Sequence, residues 1–238
     1  MTADPATRPA SGPAIETVGL ARSYAGVDAL RALDLTVATG ERVSLVGHNG
    51  SGKTTLLRLL AGLLEPSSGS ATITGSPVGS IAARAAASYI SDAPVFYDDL
   101  SVREHLDYVA RLHGTDDADV HADWLLERLG LVGRSDDLPA TFSRGLQQRA
   151  AIAIAFVRPF DVLFVDEPFV GLDRDGRRAL VELVEWASSD GAAVVIATHD
   201  LDLAAQGDRV IALVEGEVGY DGPPDDVDVG ELVGWTTS

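Results

Sequence analysis

The chain has 238 residues, of which 46% are hydrophobic, so it can bury a sizeable core as one large or two small domains. Its 18 basic and 36 acidic side chains give a formal charge of −18, and a field of that sign repels phosphate backbones and disfavours nucleic acid as the main partner. The chain has no cysteine, which excludes disulfides, iron–sulfur clusters and zinc sites built on thiolates.

The N-terminal lead, residues 1–13, is rich in Ala, Pro, Thr and Ser. It lacks a cationic start followed by an apolar block, so it is not a secretory signal, and we expect it to be disordered. The longest uncharged apolar run of the chain is Ala150–Val157. Because crossing a bilayer takes roughly 20 residues, the sequence predicts no membrane span.

Apolar runs typical of strands alternate with helical patterns along the rest of the chain. Strands are predicted at Ile15–Leu20, Arg42–Val46, Ala71–Thr74, Val162–Val165, Ala193–Thr198 and Val210–Val214. Helices are predicted at Lys53–Ala61, Val102–Leu112, Asp119–Leu129, Leu146–Val157, Asp175–Ser188 and Leu201–Gln206. Between about residues 93 and 157 only helices are predicted, which favours a helical insertion in an α/β core.

A phosphate-binding loop pattern, G-x-x-x-x-G-K-[ST], is matched by residues 47–54 between a predicted strand and a predicted helix. The glycines let consecutive N–H groups turn toward one anion, and the helix N-terminus adds its positive dipole end. Lys53 would reach the β- and γ-phosphates, and the Thr54 hydroxyl would ligate Mg²⁺. A Gly-rich turn without a ligand is the alternative, but the flanking strand and helix disfavour it. The predicted nucleotide-binding residues here are Gly47, His48, Asn49, Gly50, Ser51, Gly52, Lys53, Thr54 and Thr55.

Two adjacent carboxylates, Asp166 and Glu167, end the apolar run of a predicted buried strand. A buried parallel strand carries its reactive groups at its C-terminal end, which here would lie beside the phosphate-binding loop. Asp166 can then hold the Mg²⁺ shell, and Glu167 can polarise a water for attack on the γ-phosphate. Alone such a pair would more often be only a strand end, but downstream of a phosphate-binding loop it indicates a catalytic site.

Residues 143–149, Ser-Arg-Gly-Leu-Gln-Gln-Arg, come shortly before that strand. A serine and a glycine at a helix N-terminus can form a second anion site, although the segment alone could be an ordinary capped helix start. It resembles the signature loop of ATP-binding cassette (ABC) ATPases, whose usual form is Leu-Ser-Gly-Gly-Gln. Ser143 and Gly145 keep the two positions whose hydroxyl and backbone face the γ-phosphate in that family. Three positions depart from the usual form: Phe142, Arg144 and Leu146.

Further marks of the same family follow in order over roughly residues 15–220. Tyr24 stands where the family places an aromatic ring that stacks on adenine, although it could also be a core or surface Tyr. Residues 171–173, Gly-Leu-Asp, resemble the loop that crosses the dimer interface. His199 resembles the switch histidine that contacts the γ-phosphate, and residues 62–69 resemble the connector after the phosphate-binding helix. A chance match of every motif in order is not a serious alternative.

Asp92 departs from the family pattern, because the usual residue after Ser91 is Gln. In the family that residue links Mg²⁺ and the attacking water to the loop that touches the membrane subunit. An Asp can still accept from Mg²⁺-bound water but cannot donate as an amide does, so we expect a role near the metal. Some branches of the family with small separate export permeases have an acidic residue at this position and a His after the first glycine of the phosphate-binding loop. Asp92 and His48 resemble that pattern. A solvated loop acid is the alternative.

The resemblance implies an α/β fold: a P-loop NTPase (RecA-like) core with a mostly parallel sheet, an N-terminal antiparallel β region and an inserted helical subdomain. The ATPase domain would span residues 14–220, with the helical subdomain at about 93–157. Residues 221–238 would form a C-terminal tail, in which paired prolines and several Asp predict a loop before one last short element.

In function, the resemblance implies the ATPase subunit of a two-component ABC transporter, most similar to exporters. The subunit would pair with a second ABC subunit, as a homodimer or a heterodimer, and hydrolyse ATP to ADP and phosphate with Mg²⁺. It would drive a separate permease at the cytoplasmic face of the membrane. By this resemblance, Lys53 and Thr54 would bind phosphate and metal, and Asp166 with Asp92 would order Mg²⁺. Glu167 would accept the proton of the attacking water, and His199 would contact the γ-phosphate. Ser143 and Gly145 would contact the nucleotide bound by the opposite subunit.

Two alternatives belong to other classes. A soluble ABC ATPase that acts on ribosomes or DNA would usually carry two cassettes, zinc or iron–sulfur cysteines, or long coiled coils, whereas this sequence has one cassette, no Cys and a charge of −18. A degenerate regulatory cassette is disfavoured because Lys53, Glu167 and His199 are intact; Asp92 and the altered signature loop are the features in its favour.

Overall fold

The computed structural model describes residues 12–226 and residue 228, so residues 1–11 of the predicted lead and most of the predicted tail lie outside the described residues. Within the described part, the chain forms two sheets and seven α-helices. None of these helices is both long enough and apolar enough to span a bilayer.

The larger sheet has six strands: β3 (Arg42–Val46), β6 (Ala87–Ile90), β7 (Val162–Asp166), β8 (Ala193–Ala197), β9 (Arg209–Val214) and β10 (Glu217–Gly222). Their order across the sheet is β10-β9-β3-β8-β7-β6. Every neighbouring pair is parallel except β9 with β10, which form an antiparallel hairpin. The predicted mostly parallel sheet is therefore confirmed.

The smaller sheet is antiparallel and lies near the N-terminus, as predicted. Its strands are β1 (Ile15–Tyr24), β2 (Val27–Val37), β4 (Ser68–Ile73) and β5 (Ser76–Pro77). They are arranged in the order β2-β1-β4-β5. A β-bulge interrupts the β1–β2 register between Leu33 and Leu30, where the partners on β1 are Leu20 and Arg22.

The helices are α1 (Lys53–Leu60), α2 (Ile81–Ala86), α3 (Val102–Leu112), α4 (Ala118–Arg128), α5 (Arg144–Phe156), α6 (Arg174–Ser189) and α7 (Leu201–Ala204). Residues 93–157, all of them described, contain α3, α4 and α5 with two short 3₁₀ helices and no strand. Side-chain caps fix where several helices begin. Ser101 and Glu104 form a reciprocal capping box on α3, and Asp173 caps α6 through the Gly176 N–H.

Two hydrophobic cores cover the two faces of the parallel sheet. Alternate residues of β7 point to opposite faces, so Leu163 and Val165 pack with α3 to α6. Val162 and Phe164 pack on the other side with α1 and the antiparallel sheet. A strand buried on both faces must be apolar throughout, and this explains why β7 and β8 are continuous apolar runs in the sequence.

All six predicted strands and all six predicted helices are present, with ends shifted by up to four residues. The sequence did not predict five elements: β2, β5, β6, β10 and α2. The predicted boundary at Tyr220 falls inside β10, which continues to Gly222. There the Asp221 carboxylate forms an ion pair with Arg209 of the neighbouring strand.

Candidate functional site

The candidate site lies where the C-terminal ends of β3, β8 and β7 meet, at the centre of the parallel sheet. These ends lead into residues 47–54, 198–199 and 166–167, respectively. We call these three segments together the sheet edge, by which we mean the C-terminal end of the three central strands and not an outer strand of the sheet. Loops at the carboxyl ends of neighbouring parallel strands converge, so the topology brings together residues that are up to 150 positions apart in sequence.

The glycines of residues 47–54 hold a backbone that other residues would strain. Gly47, Gly50 and Gly52 have φ of 153°, 83° and 107°. A Cβ on Gly47 would lie 2.4 Å from the Leu213 carbonyl oxygen, and one on Gly52 would lie 2.7 Å from the Ala29 carbonyl oxygen. The loop therefore requires glycine for both conformation and space, and α1 begins directly after it at Lys53.

Lys53 is the single lysine of the chain, and it is almost completely buried. Its Nζ donates to the carbonyl oxygens of Gly47, at 2.7 Å, and His48, at 3.2 Å. Burial lowers the pKa of this ammonium group, while the negative charges of Glu167 and Asp166 act in the opposite direction. The loop thus holds one buried cation beside the backbone that would surround a phosphate.

Asp166 is fully buried and accepts two side-chain hydrogen bonds. Thr54 Oγ1 donates to its Oδ1 at 3.1 Å, and the Tyr89 hydroxyl donates to its Oδ2 at 3.3 Å. Burial raises the pKa of Asp166, the charges of Asp92 and Glu167 act in the same direction, and the two hydrogen bonds lower it. Burial also raises the pKa of Tyr89 to about 12, so its hydroxyl stays protonated and remains a donor near neutral pH.

The oxygens around Asp166 fit a small hard cation. Mg²⁺ is usually held by one or two carboxylates together with phosphate oxygens and water, rather than by an all-protein cage. Consistent with that, the described residues contain no group of three or more His, Cys, Asp or Glu side chains that could hold a metal by themselves. A cation beside Asp166 would also offset the burial that disfavours its ionised form.

Asp92 lies close enough to this carboxylate for its charge to raise the pKa of Asp166. Its Oδ1 accepts a hydrogen bond from the Ser91 hydroxyl at 3.2 Å. The carbonyl of Ser91 in turn accepts from Gln148 Nε2 at 3.3 Å, and Gln148 is a buried residue of α5. The Asp92 segment therefore connects the neighbourhood of Asp166 to the helix that Ser143 caps.

Glu167 and His199 form a pair at the open side of the sheet edge. His199 Nδ1 and Glu167 Oε2 are 2.6 Å apart. The histidine side chain is 65% exposed, whereas that of Glu167 is 19% exposed. Glu167 has φ of 46°, in the left-handed region that costs energy for a residue with a Cβ, and its N–H donates to Ala197 of β8 at 2.9 Å. The strained backbone is thus fixed between the two strands that carry the pair.

The start of α5 is built differently. Ser143 is exposed and caps the helix through a long contact, 3.5 Å, from the Leu146 N–H to its Oγ. A Cβ on Gly145 would lie 2.5 Å from the Gly171 carbonyl oxygen, so this glycine allows close contact with the Gly171–Asp173 loop. Asp173 caps α6 and forms an ion pair with Arg149 of α5. No described hydrogen bond joins Ser143 or Gly145 to Lys53 or Thr54.

Tyr24 lies at the end of the β1–β2 hairpin, opposite Val27. Its ring is 45% exposed, and the guanidinium of Arg22 lies over it, 4.5 Å from the centroid. The same hairpin carries Ala29, whose carbonyl lies beside Gly52. The predicted aromatic platform is therefore on an element that contacts the phosphate-binding loop, with ring surface available for stacking.

Sequence reasoning missed Tyr89 and Gln148 as members of this region. Tyr89 lies on β6, a strand that the sequence did not predict, and only the chain topology shows that it faces Asp166. Gln148 belongs to the Gln-Gln-Arg run after the signature-like loop, but its contact with Ser91 spans 57 positions. Neither contact has a local sequence signal.

A family model described as "ABC transporter" matches residues 30–170. The chain is 39% identical over 199 residues to the uncharacterized ABC transporter ATP-binding protein YbbA of Escherichia coli (strain K12), which spans 79% of this chain and 87% of YbbA. It is 34% identical over 220 residues to the pyoverdine export ATP-binding/permease protein PvdT of Pseudomonas fluorescens, which spans 87% of this chain and 34% of PvdT. The dimeric structure of MJ0796, a bacterial ABC transporter cassette, superimposes with a TM-score of 0.81 at 25% identity, covering 88% of this chain and 98% of that one.

Proposed function

We propose that this chain, which belongs to the ABC transporter family as an ATP-binding subunit, hydrolyses ATP to drive a separate membrane permease in an exporter. The observation that carries the proposal is the sheet edge. There a buried cation, a buried carboxylate and a carboxylate–histidine pair lie on three adjacent strand ends.

In this proposal the backbone N–H groups of residues 47–54 and the ammonium of Lys53 bind the β- and γ-phosphates. Thr54 and Asp166, with Asp92 nearby, would hold Mg²⁺, which neutralises charge on the phosphate oxygens. Tyr24 would stack on the base through the exposed part of its ring. Lys53 Nζ donates to the Gly47 and His48 carbonyls, which hold the ammonium at the loop where the phosphates would lie.

Glu167 is the proposed general base. The water oxygen forms a bond to the γ-phosphorus, the bond from that phosphorus to the bridging oxygen breaks, and the water proton passes to the Glu167 carboxylate. His199 lies 2.6 Å from the same carboxylate, so it can orient Glu167 and donate toward the γ-phosphate from its exposed position. The products are ADP and inorganic phosphate.

We propose that the start of α5, from Ser143 to Gly145 (the α5 start), contributes to the ATP site of a second copy of the chain. It is exposed, and no described hydrogen bond joins Ser143 or Gly145 to Lys53 or Thr54 of the same chain. The MJ0796 cassette, which has the same fold, forms a dimer. A dimer in which each α5 start faces the other protomer's phosphate-binding loop would give two composite sites.

Two relatives support a permease partner and an export role. YbbA is described as an ATP-binding protein, and this chain covers 87% of it. PvdT is described as a combined export ATP-binding/permease protein, and this chain covers 34% of it. We infer that the permease function belongs to another chain, which would hold this subunit at the cytoplasmic face of the membrane.

Steady-state ATPase assays on the purified chain test the proposal. We expect Mg²⁺-dependent release of phosphate from ATP, abolished by Glu167→Gln and retained by Glu127→Gln, which removes an exposed acid of α4. Absence of ATP binding by the folded chain would overturn the proposal. Co-purification with the product of a neighbouring membrane-protein gene, followed by stimulation of ATPase activity in vesicles, tests the permease partner.

A further inference from the structure

The two oxygens of Asp166 are held from two different elements. Oδ1 faces Thr54 on α1, at the end that would bind the metal, and Oδ2 accepts from the Tyr89 hydroxyl on β6. Tyr89 is opposite Phe164 in the parallel β6–β7 register, and Phe164 precedes Asp166 by two positions. Tyr89 and Asp166 therefore lie on the same face of the sheet, so this contact follows from strand register and not from a flexible loop.

Arg58 of α1 lies near enough to Tyr89 for the tyrosine to raise the pKa of the guanidinium. The phenol thus lies between the phosphate-binding helix and the buried carboxylate on β7, to which its hydroxyl donates. A residue that only filled space between α1 and β7 would not need that hydroxyl.

We infer that Tyr89 is a positioning residue for Asp166: it holds Oδ2, and so directs Oδ1 toward Thr54 and the divalent cation. This inference rests on the proposed function, because it concerns how the same site holds its metal. Outer partners of metal-ligating carboxylates fix the orientation of the ligand and raise its affinity for the ion.

The test is Tyr89→Phe, which removes one oxygen and keeps the ring, so the packing of β6 against α1 is retained. The matched control is Tyr220→Phe, which removes a hydroxyl of β10 that donates to the Pro223 carbonyl and forms no described hydrogen bond with the sheet edge. Calorimetry measures ATP affinity in Mg²⁺ and in EDTA, and ATPase assays measure the free Mg²⁺ that gives half-maximal rate.

For Tyr89→Phe we expect the gain in ATP affinity on adding Mg²⁺ to fall about tenfold. The concentration of free Mg²⁺ that gives the half-maximal ATPase rate should rise by a similar factor. ATP affinity in EDTA and the rate at saturating Mg²⁺ should stay close to wild type, and Tyr220→Phe should match wild type throughout. An unchanged Mg²⁺ requirement in Tyr89→Phe, with wild-type ATP binding, would overturn the role of Tyr89 and leave the proposed function standing. A wild-type protein that does not bind ATP in either condition would overturn both.

Discussion

The sheet edge and the α5 start are both predicted anion sites, but they are built in opposite ways. At the sheet edge the polar side chains are paired within the chain: the buried Lys53 with two carbonyls, the buried Asp166 with two hydroxyls, and Glu167 with the exposed His199. At the α5 start the hydroxyl and the cation, Ser143 and Arg144, are exposed. The sheet edge is organised by contacts within a single chain, whereas the α5 start presents its polar groups on the surface.

The difference shows where each region gets its organisation. The sheet edge uses strand register and glycine conformation, both of which exist before any ligand binds. The α5 start depends on a glycine contact with the Gly171–Asp173 loop and on one capping serine, and its polar groups point outward. We therefore propose that a complete site needs a second surface. The following experiments test whether the two regions play these separate roles, from the largest expected effect to the smallest.

Glu167→Gln should give the largest effect, because it removes the proposed base and keeps the shape of the side chain. We expect turnover to fall by a factor of about 10² to 10⁴ while ATP binding is retained. The variant should also dimerise in ATP, since trapped nucleotide would hold the two regions together, as seen by light scattering. Hydrolysis near the wild-type rate would contradict the assignment of the sheet edge as the catalytic region.

Lys53→Ala removes the one buried cation of the phosphate-binding loop. We expect nucleotide affinity or turnover to fall by at least about 10², since a positioned charge in a water-poor site contributes on that scale. Circular dichroism should show that the fold persists. Nucleotide binding and ATPase activity equal to wild type in the folded variant would remove the basis for the sheet edge as a phosphate site.

Mixed dimers separate the two regions directly. A dimer with Ser143→Arg on one protomer and Lys53→Ala on the other should keep one intact site, if each α5 start serves the opposite chain. With both changes on the same protomer, each site carries one damaged component, and activity should be lower. Dimers purified with two different affinity tags allow the comparison. Equal activity in both arrangements, or the reverse order, would show that the α5 start does not act across the dimer.

Asp92→Asn should give the smallest effect on the isolated chain. It removes a charge that lies near Asp166 and keeps the shape, so we expect an altered Mg²⁺ dependence and altered permease-stimulated turnover, with ATP affinity little changed. The rate is measured against free Mg²⁺ with and without the permease, beside Asp99→Asn as an exposed-acid control. Superimposable curves in both conditions would assign Asp92 to a solvated loop.

Sequence reasoning could propose the sheet edge, whose three segments the structure brings together, because its motifs are local. The phosphate-binding loop and the Asp166–Glu167 pair are each contiguous, and a conformation fixed by glycine can be read from residue type. The α5 start was also found from sequence, but its relation to a second copy came from family resemblance, since no intrachain contact encodes it.

The missed elements have physical causes. In β2 the bulge between Leu30 and Leu33 breaks the two-residue alternation, and the leucine spacing then mimics a helix. In β6 only four residues form the strand, directly after the Ala-rich helix α2, so the segment is too short to show a clear strand pattern. Missing β6 also meant missing Tyr89, because its contact with Asp166 depends on strand pairing across 77 positions.

The solitary lysine has a chemical consequence of its own. Lys53 is the one side-chain amine in these 238 residues, so an amine-selective reagent has a single side chain to modify, and that side chain lies in the phosphate-binding loop. Its lowered pKa enlarges the unprotonated, reactive fraction, whereas burial and two carbonyl bonds restrict access. Bound nucleotide would close that access completely. Acylation of Lys53, located by peptide mass spectrometry and so distinguished from acylation of the α-amino group, would therefore report occupancy of the proposed nucleotide site without any introduced label.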